Sequence, residues 1–168
     1  MMMNIKKEIT VNKSIQEAWD VLGNQFGEAY QWASGLNHSH AYGEPQLEGA
    51  ACNNRSCDTA QGQIEEVIRT FDPKNYVLEY EVIDGFPFFV DTGINKWQLT
   101  ANGNTTTVNI DFNLKTKGLM GIIMQPMMKM QMNKLIGFVL EDFKHYVETG
   151  QPSPRKAKEL AKKLAMAA

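Results

Sequence analysis

From Ile64 to Leu114 the chain repeats with period two. Ile64, Glu66, Ile68 and Thr70 alternate with Glu65, Val67, Arg69 and Phe71, and Tyr76, Leu78, Tyr80 and Val82 alternate with Val77, Glu79, Glu81 and Ile83. Gly93, Asn95, Trp97 and Leu99, then Val108, Ile110, Phe112 and Leu114, continue the pattern. Alternation sends one set toward a core and the other toward water, which marks half-buried strands. Asp72-Pro73-Lys74-Asn75 and Ala101-Asn102-Gly103-Asn104 supply turns between them. Ile5, Ile9 and Val11 predict an earlier strand of the same kind. The polar stretch from Leu36 to Ser56, broken at Gly43 and Pro45, predicts two more at about 37–44 and 50–57.

Two segments depart from period two. Ser14-Ile15-Gln16-Glu17 is a capping box, and Ile15, Ala18, Trp19 and Leu22 give the helix it opens an apolar face that ends at Gly23. Gln25 to Trp32 predicts a second short helix, weakened by Gly27. Near the C-terminus, Met128, Met132, Leu135, Val139, Phe143 and Tyr146 fall by fours and threes on one helical face, widened by Ile136, Leu140 and Val147. Glu141, Asp142, Lys144 and Glu148 stand mostly off it, and Gly150 with Pro152 stops the helix. Pro126 either begins this helix or kinks a longer one. The chain therefore reads as strand, two short helices, about six strands, then one long helix. That is an α+β fold: a curved antiparallel sheet of six to seven strands wrapped around a helix predicted over 117–149.

Composition narrows the functions. At 168 residues with 43% apolar side chains, one domain with an ample core is expected, residues 1–150, followed by a basic tail over 151–168. A net charge of −2 with mixed signs gives no footprint for nucleic acid. No apolar run approaches a membrane span, and the N-terminus lacks the apolar stretch of a secretory signal, so a cytoplasmic protein is expected. Cys52 and Cys57 are not spaced as zinc ligands; on one strand they would face opposite sides, which argues against a mutual disulfide. The tail counts five basic residues against one acid, with Leu160, Ala161 and Leu164 as a narrow apolar stripe. It is expected to be a solvated or frayed tail that can hold a short helix, with a membrane-surface or partner-binding helix as the minority reading.

Several ordered features carry a family likeness. They are Ser14-Ile15-Gln16-Glu17-Ala18-Trp19, the stretch from Gly49 to Arg55, Ile64-Glu65-Glu66-Val67-Ile68 before Asp72, Tyr76-Val77-Leu78-Glu79-Tyr80, Trp97, and the ending from Phe143 to Gly150. Over residues 4–150 the chain resembles the START-like helix-grip superfamily, in its polyketide cyclase/dehydrase (SRPBCC) branch. It departs from the usual pattern where Ala51-Cys52-Asn53-Asn54 intervenes before Arg55. The resemblance implies a helix-grip fold with a hydrophobic cavity for lipid-like, polyketide-like or isoprenoid molecules. Some relatives cyclise their ligands and many only bind or carry them, so no shared active site follows.

The chemistry-bearing residues are few. Alternation puts Glu66 on the face of Ile64 and Ile68, and in the family the matching glutamate points into the cavity. If the preceding turn is centred between Ala60 and Gln61, Arg55 stands opposite Glu66; a register one residue different brings Arg55 to Glu65 on the outside. His38 and His40 share a strand face but have no visible third ligand, so no metal is expected. His145 is expected near the favourable C-terminal end of the long helix. No nucleophile–base set, phosphate-cradling loop or nucleotide motif appears, and no cofactor is expected. Six of ten methionines lie between Met120 and Met132, as core packing or as a pliable wall for an apolar ligand.

The expected ligand-facing set is Arg55, Glu66, Tyr80, Asn95, Trp97, Phe112, Met124, Met128 and Met132. Phe86, Phe88 and Phe89 are expected either to fold over the cavity entrance or to lie exposed against a membrane or another chain. The leading expectation is a protein that binds a small hydrophobic ligand. A cyclase or dehydratase using Glu66 and Tyr80 is the first alternative, and a non-catalytic protein-interaction domain the second. The sequence does not fix the oligomeric state.

Overall fold

The computed structural model describes residues 1–168. Seven strands form one antiparallel sheet: β1 (Met2–Val11), β2 (Leu36–Tyr42), β3 (Asn54–Thr59), β4 (Gly62–Asp72), β5 (Val77–Asp84), β6 (Val90–Asn102) and β7 (Thr105–Thr116). Their spatial order is β1-β7-β6-β5-β4-β3-β2, so every neighbour after the β1–β7 pair is a hairpin partner. Burial along β7 alternates strictly, as the period-two pattern requires. Helix α1 (Ile15–Trp19) opens on the expected capping box, with Ser14 Oγ accepting from Glu17 N and Glu17 accepting from Ser14 N.

Gly23 does not end that helical segment. The chain continues through a π turn (Asp20–Asn24) into a 3₁₀ helix (Phe26–Gln31), the second short helix expected over Gln25 to Trp32. Gly27 has a packing role here: a Cβ on it would lie 2.7 Å from Ala41 Cβ, so the 3₁₀ helix sits directly on β2. Ser39 fixes the contact by donating to Gly27 O at 2.7 Å and accepting from Tyr30 N. β3 begins at Asn54, four residues later than expected. Gly43 and Gly49 both take positive φ, and the chain between them turns away from the sheet.

Helix α2 (Gly118–Thr149) runs 32 residues, about 48 Å, through Pro126 without a break, and Gly150 at φ 72° ends it. Its C-terminal half buries Ile136, Leu140, Phe143 and Val147. Trp32, Trp97 and Phe143 meet edge to face with centroids 5.1–6.2 Å apart, joining the 3₁₀ segment, sheet and helix in one core. Its N-terminal half leaves Leu119, Ile122, Ile123 and Met130 exposed.

The tail is not solvated throughout. Residues Pro154–Ala167 form α3, capped by Ser153. Asp142, expected off the buried stripe, is fully buried and anchors α3 by accepting from Ser153 Oγ (2.5 Å) and Arg155 Nη1 (3.1 Å). Its spacing, three after Val139 and four before Tyr146, is that of the buried face. Lys156, also fully buried, donates to Leu36 O at 2.5 Å, and burial lowers its pKa against the pull of Glu159. Leu164 and Met166, farther along α3, are exposed.

Candidate functional site

The concave face of the sheet and the inner face of α2 do not close completely. Between them lies a cavity of about 320 Å³, within the size range of small-molecule sites. Leu78, Tyr80, Trp97, Ile110 and Phe112 form its floor, α2 contributes Met132, Leu135, Ile136 and Val139, and Phe26, Ala29 and Trp32 close one side. The hairpin tip Thr59–Gln61, with Ala60 and Gln61 exposed, also lines it.

Arg55 and Glu66 face each other across β3 and β4 in the inward register. Both are about 95% buried. Arg55 Nε and Nη2 each lie 2.6 Å from Glu66 Oε2, and Nη1 donates to Phe26 O at 2.9 Å. The guanidinium carbon is 3.9 Å from the centroid of the Phe26 ring and 5.0 Å from that of Tyr80. Burial alone would lower the Arg55 pKa, but the facing carboxylate outweighs it, and the group titrates above its ordinary value. Cys57 Sγ donates to the same Oε2 at 3.4 Å. Burial is the largest influence on that thiol, whose pKa is pushed up to about 12. Tyr80 is likewise raised, chiefly by burial, with Arg55 pulling against it.

Asn95 stands between Tyr80 and Phe112 on the neighbouring strands and donates from Nδ2 to the Tyr80 hydroxyl at 2.8 Å. Its Oδ1 is buried without a hydrogen-bond partner in the protein. So are Trp97 Nε1 and Ser34 Oγ, in the wall of the same cavity. The Trp97 N–H lies close enough to the Tyr80 hydroxyl to lower its pKa, yet it closes no hydrogen bond.

The cavity wall thus gathers Arg55, Glu66, Tyr80, Asn95, Trp97, Phe112 and Met132 from the expected set. Met124 and Met128 are not part of it. They lie where α2 runs past the end of the cavity, Met124 half-buried and Met128 packed against the edge of the core. The three phenylalanines of the β5–β6 loop separate. Phe86 lines the cavity, Phe89 packs on the core and Phe88 is 77% exposed. Gly93 makes room for Phe86, since a Cβ there would lie 2.4 Å from its Cζ. His38 and His40, on edge strand β2, stack on each other and meet Tyr30 and Tyr42 at tilted angles, outside the cavity. Sequence reasoning missed Phe26 and Ser34; a backbone carbonyl placed by a 3₁₀ turn leaves no pattern to read.

No helix is long and apolar enough to cross a membrane. Several solved structures share the fold. Norcoclaurine synthase from Thalictrum flavum, in truncated form, superposes with a TM-score of 0.68 at 12% identity, covering 89% of this chain and 95% of that one. Ara h 8.0201 gives 0.63 at 13% identity, covering 88% and 98%. An uncharacterised protein from Bacillus thuringiensis gives 0.63 at 16%, covering 86% and 98%. A search of curated proteins finds no significant match. The model of the family described as polyketide cyclase / dehydrase and lipid transport matches residues 2–148, nearly the whole sheet and long helix, and the chain belongs to that family.

Proposed function

We propose that this protein binds a small hydrophobic, lipid-like molecule of polyketide, isoprenoid or acyl type in the cavity between sheet and α2, and holds it without turnover. The observation that carries this reading is the cavity itself: 19 of its 27 lining residues are hydrophobic, while its only charged pair is neutralised internally. Arg55, Glu66, Tyr80, Asn95, Trp97, Phe112 and Met132 are the proposed contacts, with Phe86 at the entrance. The titration of the neighbouring groups favours binding over acid–base catalysis. A general acid or base works best with a pKa near the working pH. Burial instead keeps Tyr80 a phenol and Cys57 a thiol, and Glu66 holds Arg55 as a cation. Cys52 and Cys57 are buried free thiols, in keeping with a reducing, cytoplasmic setting.

Native mass spectrometry of freshly purified protein tests the reading. A discrete small-molecule mass retained on the folded protein, and lost on denaturation, is expected. A bare mass for the folded protein, together with no saturable uptake of apolar fluorescent probes, contradicts it.

A further inference from the structure

We infer that the ligand is uncharged, carrying a hydroxyl on an apolar body, and that Asn95 and Trp97 read that hydroxyl. This rests on the proposal that the cavity is a ligand site. Arg55 and Glu66 are the only charged residues in its wall. The guanidinium already reaches Glu66 through two nitrogens and Phe26 O through the third, between two aromatic rings. A ligand carboxylate or phosphate would bring a second anion beside Glu66 with no free cation to meet it. A ligand ammonium would have to compete with Arg55 for the same carboxylate. In a buried site either intrusion is strongly unfavourable. Fatty-acid carboxylates and phospholipid headgroups are therefore excluded as the buried end of the ligand.

The polar demand lies on β6. Asn95 and Trp97 are two residues apart on one strand face, so their Cα atoms are roughly 6–7 Å apart. Asn95 Oδ1 offers a buried acceptor and Trp97 Nε1 a buried donor, and neither is answered by the protein. A neutral ligand oxygen that donates to the first and accepts from the second is a hydroxyl. If the Asn95 amide is turned so that Oδ1 takes the Tyr80 proton, Nδ2 becomes the unanswered group. The ligand oxygen then accepts from both, which a hydroxyl does as readily as a carbonyl. The surrounding Phe112, Ile110 and Leu78 fit only an apolar body.

The experiment uses matched probes on two bodies at pH 7, read by calorimetry: naphthol, naphthoate and methylnaphthalene, then decanol and decanoate. The wild-type protein is expected to bind naphthol and decanol about tenfold or more tighter than their partners, because a site built to hydrogen-bond a group rejects the analogue that lacks it. Asn95→Leu is expected to erase the preference for naphthol over methylnaphthalene, read as the ratio of their two dissociation constants in the variant. Trp97→Phe should halve the preference or more if it folds, and the Asn95 variant decides the matter if it does not. Tighter binding of naphthoate or decanoate overturns the neutral-head inference and leaves the ligand site standing. A hydroxyl preference that survives in Asn95→Leu overturns the role of Asn95. Failure of every probe to bind overturns the ligand-site reading as well.

Discussion

Arg55 and Glu66 show how much one pair of residues reveals and conceals. Buried charges persist only in company, since a lone carboxylate beside Ile64 and Ile68 would be heavily penalised and arginine does not shed its proton. Removing one partner should therefore cost more than the pair contributes. Glu66→Ala is expected to lower unfolding free energy by about 3–5 kcal/mol in urea titrations, and Glu66→Gln, which keeps an acceptor for the guanidinium, by clearly less. Equal stability of Glu66→Ala and wild type would refute the buried pair. The sequence narrowed the register to two choices, because a hairpin's turn centre fixes every cross-strand partner by arithmetic, and the structure has the one with Arg55 opposite Glu66. The rest of the cluster was not legible. The Phe26 carbonyl and ring reach Arg55 because the 3₁₀ helix packs on β2, a tertiary contact with no period in the sequence. Asp142 misled for a different reason: its charge suggested water although its spacing placed it on the buried face.

Elements follow the sequence most closely where side chains alternate over a single buried face, as in β7, and least where turns rather than periods set the boundaries. The late start of β3 follows Gly43 and Gly49, whose positive φ values carry the chain off the sheet. α1 carries a pH-sensitive cap. Ser14 and then Lys13 hold the Glu17 carboxylate down, to about 2 from its ordinary 4.5. A carboxylate depressed in the folded state stabilises above its unfolded pKa and loses that contribution as pH falls through the folded value. Wild type should thus lose stability relative to Glu17→Gln between about pH 4.5 and pH 2, as thermal melts across that range would show. A constant difference would contradict the cap. α3 clamps the cavity wall, because Asp142 accepts from Ser34 N on one side and from Ser153 and Arg155 on the other. Ending the chain at Gly150 should cost about 1.5–3 kcal/mol, the range for lost hydrogen bonds to a charged group. Amide exchange at Ser34–Leu36 should quicken with it. Unchanged exchange there would mean that α3 rides on the surface without holding the wall.

At the scale of the whole molecule, one long helix cannot fill the concavity of a seven-stranded sheet along its full length. The C-terminal half of α2 seals the core with Phe143, Leu140 and Val147, and the cavity remains beside Met132, Leu135, Ile136 and Val139. The methionine-rich face was legible as a stripe from its spacing. Where the cavity ends along that stripe was not, because the rotation and overhang of α2 depend on how it seats against the sheet. Met132 therefore lines the cavity while Met124 and Met128 do not. Family membership and shared fold agree with a hydrophobic interior but leave its occupant open. The most direct test fills the cavity and asks whether binding disappears. Val139→Trp places an indole from α2 into the space, and titration with an apolar fluorescent probe compares the variant with wild type. The account predicts saturable one-to-one binding by wild type and loss of that binding in Val139→Trp, with a melting temperature at or near the wild-type value. Undiminished binding by a folded Val139→Trp protein would place the ligand elsewhere and contradict the account.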